Sequence, residues 1–304
     1  MSGAAAKRRV VVLVCGGVAG VLLLGALFAV FERGNLTGGN SEKRSRAGRE
    51  NGEEEFLRPL LPLPARERFS ELSPVRNDWP RITRFFRKLH QKSRNAEDAI
   101  TPVAKDPDRH AQFLERSKQG DIDLLFLGDS ITNRWPRVGE SSWLKLAPYK
   151  PANFGIDGDC TEHLLWRLEH GELDAISPKV VVLLIGSNNV FYFADETPQW
   201  TARGIEKIVR VIRERSPASK VLLFGIFPRD EKESRVRRTI TAVNREIRHL
   251  NDGMQVRFVD IGDQFLDAGG NIPADIMPDK VHPNAKGYDL WYRSLESILS
   301  GMLK

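Results

Sequence analysis

The stretch LLFLGDSITNRW, Leu124 to Trp135, is an unbroken apolar run that stops at Gly128 and passes at once into Asp129 and Ser130. An apolar run of strand length without alternation suits a strand covered on both faces, as in a parallel sheet. Open α/β sheets gather their chemistry in the crevice outside the carboxyl ends of such strands. Ser130 is therefore a candidate nucleophile. Asp129 and Ser130 are equally residue types that cap a helix, here one beginning near Ile131. The triplet alone leaves the two readings level. Around Ser130 the chain reads G-D-S-I-T, so the G-x-S-x-G elbow of α/β-hydrolases is absent.

Working outward, strand-like runs at Ile122 to Leu127, Ala152 to Phe154, Val180 to Ile185, Val221 to Phe227 and Val256 to Val259 alternate with helical stretches. Ile205, Ile208 and Ile212 mark one helix; Val236, Ile240, Val243, Ile247 and Leu250 mark another. Such alternation predicts a parallel sheet sandwiched between helices.

Composition bounds the rest. The chain has 304 residues, 41% of them hydrophobic, which is enough for one enzyme-sized core beside a separate leader. Its net charge of +6 is unevenly placed: residues 1–100 carry 18 Lys and Arg against 11 Asp and Glu, leaving 28 against 29 in the remainder. The basic excess belongs to the leader, so nucleic acid is not an expected partner. Cys15 and Cys160 are the only cysteines and the six histidines are scattered, so no zinc set is indicated.

Val10 to Phe31 is a stretch of 22 residues without a charge, preceded by Lys7, Arg8 and Arg9. That is long enough to cross a hydrocarbon core of about 30 Å, and the flanking charge holds the N-terminus in the cytoplasm. The alternative is a cleaved signal peptide, but the run exceeds the usual apolar core and Ala26, Phe28 and Ala29 match a cleavage site poorly. The resulting plan is a basic cytoplasmic segment at 1–9, a transmembrane signal anchor at 10–31, a flexible linker at 32–76, a basic amphipathic helix and connection at 77–106, and the catalytic domain at 107–304, outside the cytoplasm. Trp79, Ile82, Phe85, Phe86 and Leu89 set the spacing of the amphipathic helix.

Three further segments carry chemistry. Asn153 to Asp159, NFGIDGD, follows a short strand, and the Gly155 N–H can donate to an oxyanion; a plain turn with Asp159 or Thr161 capping the next helix is the alternative. Gly186-Ser187-Asn188-Asn189 ends the most hydrophobic strand, where a side-chain amide supplies a neutral donor. Asp279-Lys280-Val281-His282-Pro283 precedes the last helix. Histidine suits a general base at neutral pH, and a carboxylate three residues earlier can turn back to hold the ring.

In order and identity these four segments, from about Asp108 to the C-terminus, resemble the SGNH or GDSL hydrolase family. The likeness is strongest to the catalytic-subunit type of platelet-activating-factor acetylhydrolase, through NFGIDGDCTEHLLWRLEHGELDAISPKVVVLLIGSNN, Asn153 to Asn189. The resemblance implies a flavodoxin-like three-layer α/β/α sandwich with a mainly parallel five-stranded sheet. It implies Ser130 as nucleophile, His282 as base, Asp279 as its orienting carboxylate, and an oxyanion hole of Ser130, Gly155 and Asn188, with no cofactor. Ser187 stands where the family usually has threonine, Lys280 where an apolar residue or glycine is common, and Val190-Phe191-Tyr192-Phe193 is more aromatic than usual. These aromatics either line an acyl or sugar pocket or simply pack. The expected protein is a membrane-anchored serine esterase removing short acyl groups, acetyl above all, from a carbohydrate or lipid. Its expected partners are that ester, the membrane and a second copy of the chain. The alternatives are a lysophospholipase or thioesterase, and a non-catalytic binding module on the same fold.

Overall fold

The computed structural model describes residues 94–303. The expected anchor, the linker and the helix marked by Trp79 to Leu89 lie outside the described residues. Among the described residues no helix is long and apolar enough to cross a membrane.

The helices are, in chain order, α1 (Pro107–Lys118), α2 (Ser130–Val138), α3 (Glu140–Leu144), α4 (Thr161–Glu169), α5 (Ser187–Tyr192), α6 (Pro198–Arg215), α7 (Arg235–Ile247) and α8 (Ala285–Met302). Between them run β1 (Leu124–Gly128), β2 (Pro151–Gly155), β3 (Val180–Leu184), β4 (Lys220–Phe224) and β5 (Val256–Val259). All neighbouring strands pair in parallel, in the order β2-β1-β3-β4-β5. The expected sandwich with a five-stranded parallel sheet is the architecture found.

Successive strand side chains point to opposite faces, and the two faces feed two separate cores. Leu125, Leu127, Val181, Leu183, Val221 and Leu223 pack with residues of α1, α4, α6 and α7. Leu124, Phe126, Val180, Val182, Leu222 and Phe224 pack with α2 and α8. Covering on both faces is why the inner strands β1, β3 and β4 read as apolar runs, and truncating one such leucine to alanine typically costs about 2–5 kcal/mol.

Element ends differ from the sequence reading for local reasons. Gly120 and Asp121 both take left-handed conformations, so Ile122 is buried but precedes the ladder. After Phe224 the chain leaves the sheet because the Asn244 side chain takes over, accepting from Ile226 N and donating to Ile226 O. Leu250 falls in a 3-10 turn rather than in α7. The segment 94–106 has no helix and packs on the domain: Arg94 pairs with Glu162 and Glu196, and Ala99 is fully buried.

The strand order reverses between β1 and β3, which opens a crevice beyond their carboxyl ends. β1 leads into Ser130 and β3 into Ser187 and Asn188. α8 starts three residues beyond His282. Trp135 of α2 stacks on Trp291 of α8 at 4.3 Å, and the Tyr288 hydroxyl donates to the Ile131 carbonyl at 2.8 Å. The aromatic layer therefore sets the spacing of α2, which begins at Ser130, and α8, which follows the loop of His282.

Candidate active site

Asp129 is the N-cap of α2, its Oδ1 accepting from Ile131 N at 2.9 Å. The capping alternative thus describes Asp129, while Ser130 is left at the first helical position with its hydroxyl turned to His282. Pro136 within α2 has no N–H to return to the Thr132 carbonyl, and Asn153 Nδ2 donates to that carbonyl at 2.6 Å instead. This bond ties the tip of β2 to α2.

Ser130 Oγ lies 2.9 Å from His282 Nε2. His282 Nδ1 lies 2.7 Å from Asp279 Oδ2, and the other oxygen of Asp279 accepts from His282 N at 2.8 Å and Val281 N at 3.0 Å. An ionised carboxylate only accepts, so Nδ1 carries the proton and Nε2 faces the serine with its lone pair. Burial works to raise the Asp279 carboxyl, but the hydrogen bonds and charge of His282 and the Val281 N–H hold it well below the usual carboxylate range. Asp279 is thereby kept anionic beside the ring.

Asn188 is buried in the first turn of α5, and its Nδ2 donates to the Asp159 carbonyl at 2.9 Å and lies 3.5 Å from Asp129 Oδ2. Its Oδ1 accepts from Arg229 Nη1 at 3.2 Å. Burial pushes the Asp129 carboxyl up to about 7, against the lowering effects of Ile131 N–H and Arg229.

Gly155 does not offer a free donor. Its N–H is given to Asn153 Oδ1 at 3.0 Å, and a Cβ on it would lie 2.4 Å from Asn133 N. The glycine is required there so that β2 can pass close beneath the first turn of α2. Gly158, at φ +75, occupies the left-handed region that favours glycine, and among the described residues its N–H pairs with nothing. It immediately precedes Asp159, whose carbonyl holds Asn188.

The Asp159 loop is rigidly mounted. Arg167, fully buried, donates from Nε to Asp159 Oδ2 at 3.0 Å and also binds Glu172, while Lys105 Nζ reaches Asp159 Oδ1 at 3.1 Å. The helix that follows is capped by Cys160, not by Asp159 or Thr161, with Cys160 N donating to His163 Nδ1 at 2.9 Å. Asn189 serves structure: it receives Thr161 N at 3.0 Å and donates to Thr161 Oγ1 at 2.9 Å. Of the aromatic run, Val190 is core, Phe193 lies under Arg94 and Phe191 under Arg229. Among the described residues no group of three or more His, Cys, Asp or Glu is placed to hold a metal ion.

The sequence reading assigned Arg229 and Gly158 no role and read Asp159 only as a candidate helix cap. The available signal for Arg229 was its place, a charged residue directly after the apolar run VLLFGIFP of β4.

The model of the GDSL-like lipase/acylhydrolase family matches residues 126–290, from within β1 through the Asp279–His282 loop into α8. The chain belongs to this family. It is a serine esterase, a carboxylic ester hydrolase, and the reading as a non-catalytic binding module is set aside. This acylhydrolase is 34% identical to the alpha2 subunit of platelet-activating factor acetylhydrolase IB from Rattus norvegicus over 64% of the chain and 84% of the relative. Against the alpha1 subunit from Homo sapiens the figures are 34%, 64% and 82%. Among solved structures, a GDSL-like lipase from Bacteroides thetaiotaomicron superposes with a TM-score of 0.53 at 18% identity, covering 68% of the acylhydrolase and 99% of that chain, a likeness of fold.

Proposed function

We propose that Ser130, His282 and Asp279 act as the catalytic triad of an esterase that releases short acyl groups, acetyl above all, from a carbohydrate or lipid alcohol. The observation carrying this reading is the unbroken line from Ser130 Oγ to His282 Nε2 at 2.9 Å and from His282 Nδ1 to Asp279 Oδ2 at 2.7 Å. His282 takes the hydroxyl proton as Ser130 Oγ attacks the ester carbonyl, and the imidazolium formed is balanced by Asp279. The tetrahedral oxyanion collapses, the C–O bond to the alcohol breaks and His282 returns the proton to the leaving alkoxide. Water, deprotonated by His282 in turn, attacks the acyl-serine and releases the acid.

The donors for the oxyanion are the Ser130 N–H at the start of α2, Asn188 Nδ2 and the Gly158 N–H. Gly158 takes the place expected of Gly155, whose N–H is already engaged. The acetyl preference is supported by the activity named in the curated relatives, platelet-activating factor acetylhydrolase subunits. The full-length chain in detergent should lose at least about 10³-fold in hydrolysis of p-nitrophenyl acetate on Ser130→Ala. Activity equal to the parent would refute the triad, and a panel of esters varying acyl length and alcohol separates carbohydrate from lipid substrates.

The uncharged run Val10 to Phe31 behind Lys7, Arg8 and Arg9 supports an uncleaved membrane anchor with the esterase domain outside the cytoplasm. A protease added to intact cells should then reach the domain while the full-length chain sediments with membranes. Protection of the domain, or a shortened soluble form, would overturn that placement.

A further inference from the structure

We propose that Arg229 is a positioning residue for acyl transfer: its guanidinium holds Asn188 Oδ1 and so selects which edge of that amide faces the developing oxyanion. The proposal rests on the reading of Asn188 as an oxyanion donor given above.

A primary amide can turn by 180° about its last torsion, exchanging a donor edge for an acceptor edge, and only its partners choose between the two. Arg229 Nη1 lies 3.2 Å from Asn188 Oδ1 and 3.2 Å from Ser187 Oγ. A guanidinium has no acceptor, so only the oxygen of Asn188 can face it. At the other edge the Asp159 carbonyl has no donor, so only Nδ2 can face it, at 2.9 Å. A turned amide would set donor against donor at Arg229 and acceptor against acceptor at Asp159. With one Nδ2 hydrogen held by Asp159, the other is directed toward the Asp129–Ser130 side, where its nearest recorded acceptor is Asp129 Oδ2 at 3.5 Å, too long for an ordinary N–H···O bond. That hydrogen is the one available to an oxyanion. The cation at the carbonyl end of the amide also polarises it and strengthens the donor at the other end.

Arg229 is itself held to this task. Only 8% of it is exposed, and its guanidinium lies 3.7 Å over the Phe191 ring. Arg237 Nε donates to the Arg229 carbonyl at 3.1 Å and its Nη2 to the Asp230 carbonyl at 2.6 Å. Asp230 N in turn donates to the Lys280 carbonyl at 3.0 Å, two residues before His282. The Arg229–Asp230 segment thus braces the oxyanion donor with a side chain and the loop of the base with its backbone. One planar nitrogen, Nη1, serves Ser187 and Asn188 together, and a lysine, with a shorter side chain and a tetrahedral ammonium, does not present its donors with the same reach and plane.

The test is a double-mutant cycle on the full-length chain with p-nitrophenyl acetate. Arg229→Met should lower kcat about 10- to 10²-fold with KM changed less than about 3-fold, since the donor it positions acts on the transition state. Arg229→Lys, which keeps the charge without the reach and planarity of the guanidinium, should fall between. In an Asn188→Ala background Arg229→Met should cost less than about 3-fold more, because the group it positions is gone. An equal loss in both backgrounds, or a raised KM with kcat unchanged, would overturn the proposal. Asn188→Ala with undiminished kcat would instead overturn the reading of Asn188 as a donor. Melting curves identify a variant that fails to fold, and if Arg229→Met does, Arg229→Lys carries the same cycle.

Discussion

Ser130 Oγ and His282 Nε2 meet at 2.9 Å although 152 residues separate them, Ser130 at the first position of α2 and His282 in the loop three residues before α8, the helix on which α2 packs. α2 and α8 are locked by Trp135, Tyr288 and Trp291, whose rings stack within the core beneath the site. The geometry of the serine and the base is therefore a consequence of an aromatic layer some turns away from both.

Trp291→Ala should accordingly cost about 3–5 kcal/mol, as for other buried aromatic truncations, and lower activity even where the variant stays folded. Denaturant unfolding gives the first quantity and turnover of a short ester at a temperature well below the melt gives the second. Wild-type turnover in the folded variant would show that the layer does not set the site.

Asp279→Asn leaves an amide that can donate to His282 Nδ1 as readily as accept, so the ring loses the bias that keeps Nε2 free for Ser130. Turnover should fall by about 10³- to 10⁴-fold, and the stability that the depressed Asp279 carboxyl contributes near neutral pH should be lost with it. Nitrogen-15 chemical shifts of the imidazole would report the change of tautomer directly.

Asp129 imposes a pH dependence on stability. Its native carboxyl holds a proton up to about 7, while in the unfolded chain it releases the proton near 3.8. Between those values the native state binds more protons, so stability falls as pH rises, by at most about 1.4 kcal/mol per unit. Asp279 works the other way in a lower window: its depressed native value adds stability above the ordinary carboxylate range that is lost as the solution is made strongly acid. Asp129→Asn should flatten the decline between pH 4 and 7, measured as the denaturation midpoint at each pH. An unchanged slope would remove Asp129 as its origin.

Gly155→Ala should be strongly destabilising, since the added methyl falls on the Asn133 backbone where nothing flexible can give way. Gly158→Ala should be milder in stability, about 1 kcal/mol for the left-handed backbone, and larger in turnover than in stability because it strains a donor. Equal ratios of activity loss to stability loss in the two variants would contradict the exchange of roles proposed for these glycines.

Arg167→Met would leave Asp159 and Glu172 buried with part of their compensation removed. The expected cost is about 3–5 kcal/mol. A smaller loss in urea unfolding would mean that the contacts of Lys105 with Asp159 and of His110 with Glu172 already compensate the pair.

The sheet was legible because its cause is local. A strand covered on both faces must be apolar at every position, so VVVLLI and LLFLG declare themselves, and Val180 and Val256 begin their strands where the pattern places them. The candidate residues Ser130, Asn188, Asp279 and His282 were legible for a related reason. They stand at the tips of strands or just before a helix, where backbone turns free a side chain for chemistry.

Other features were decided only in three dimensions. Whether Gly155 has a donor to give depends on the orientation of the Asn153 amide, which the Thr132 carbonyl of α2, 21 residues away, holds in place. Which edge of the Asn188 amide faces the site depends on Arg229 and Asp159, 41 and 29 residues away. The sequence alone determined the order of strands and helices and the residues placed at their tips, because hydrophobic periodicity and turn chemistry act between neighbours. The tertiary structure decided which of those groups remain free to act, because a hydrogen bond once taken by a distant partner is no longer available to a substrate.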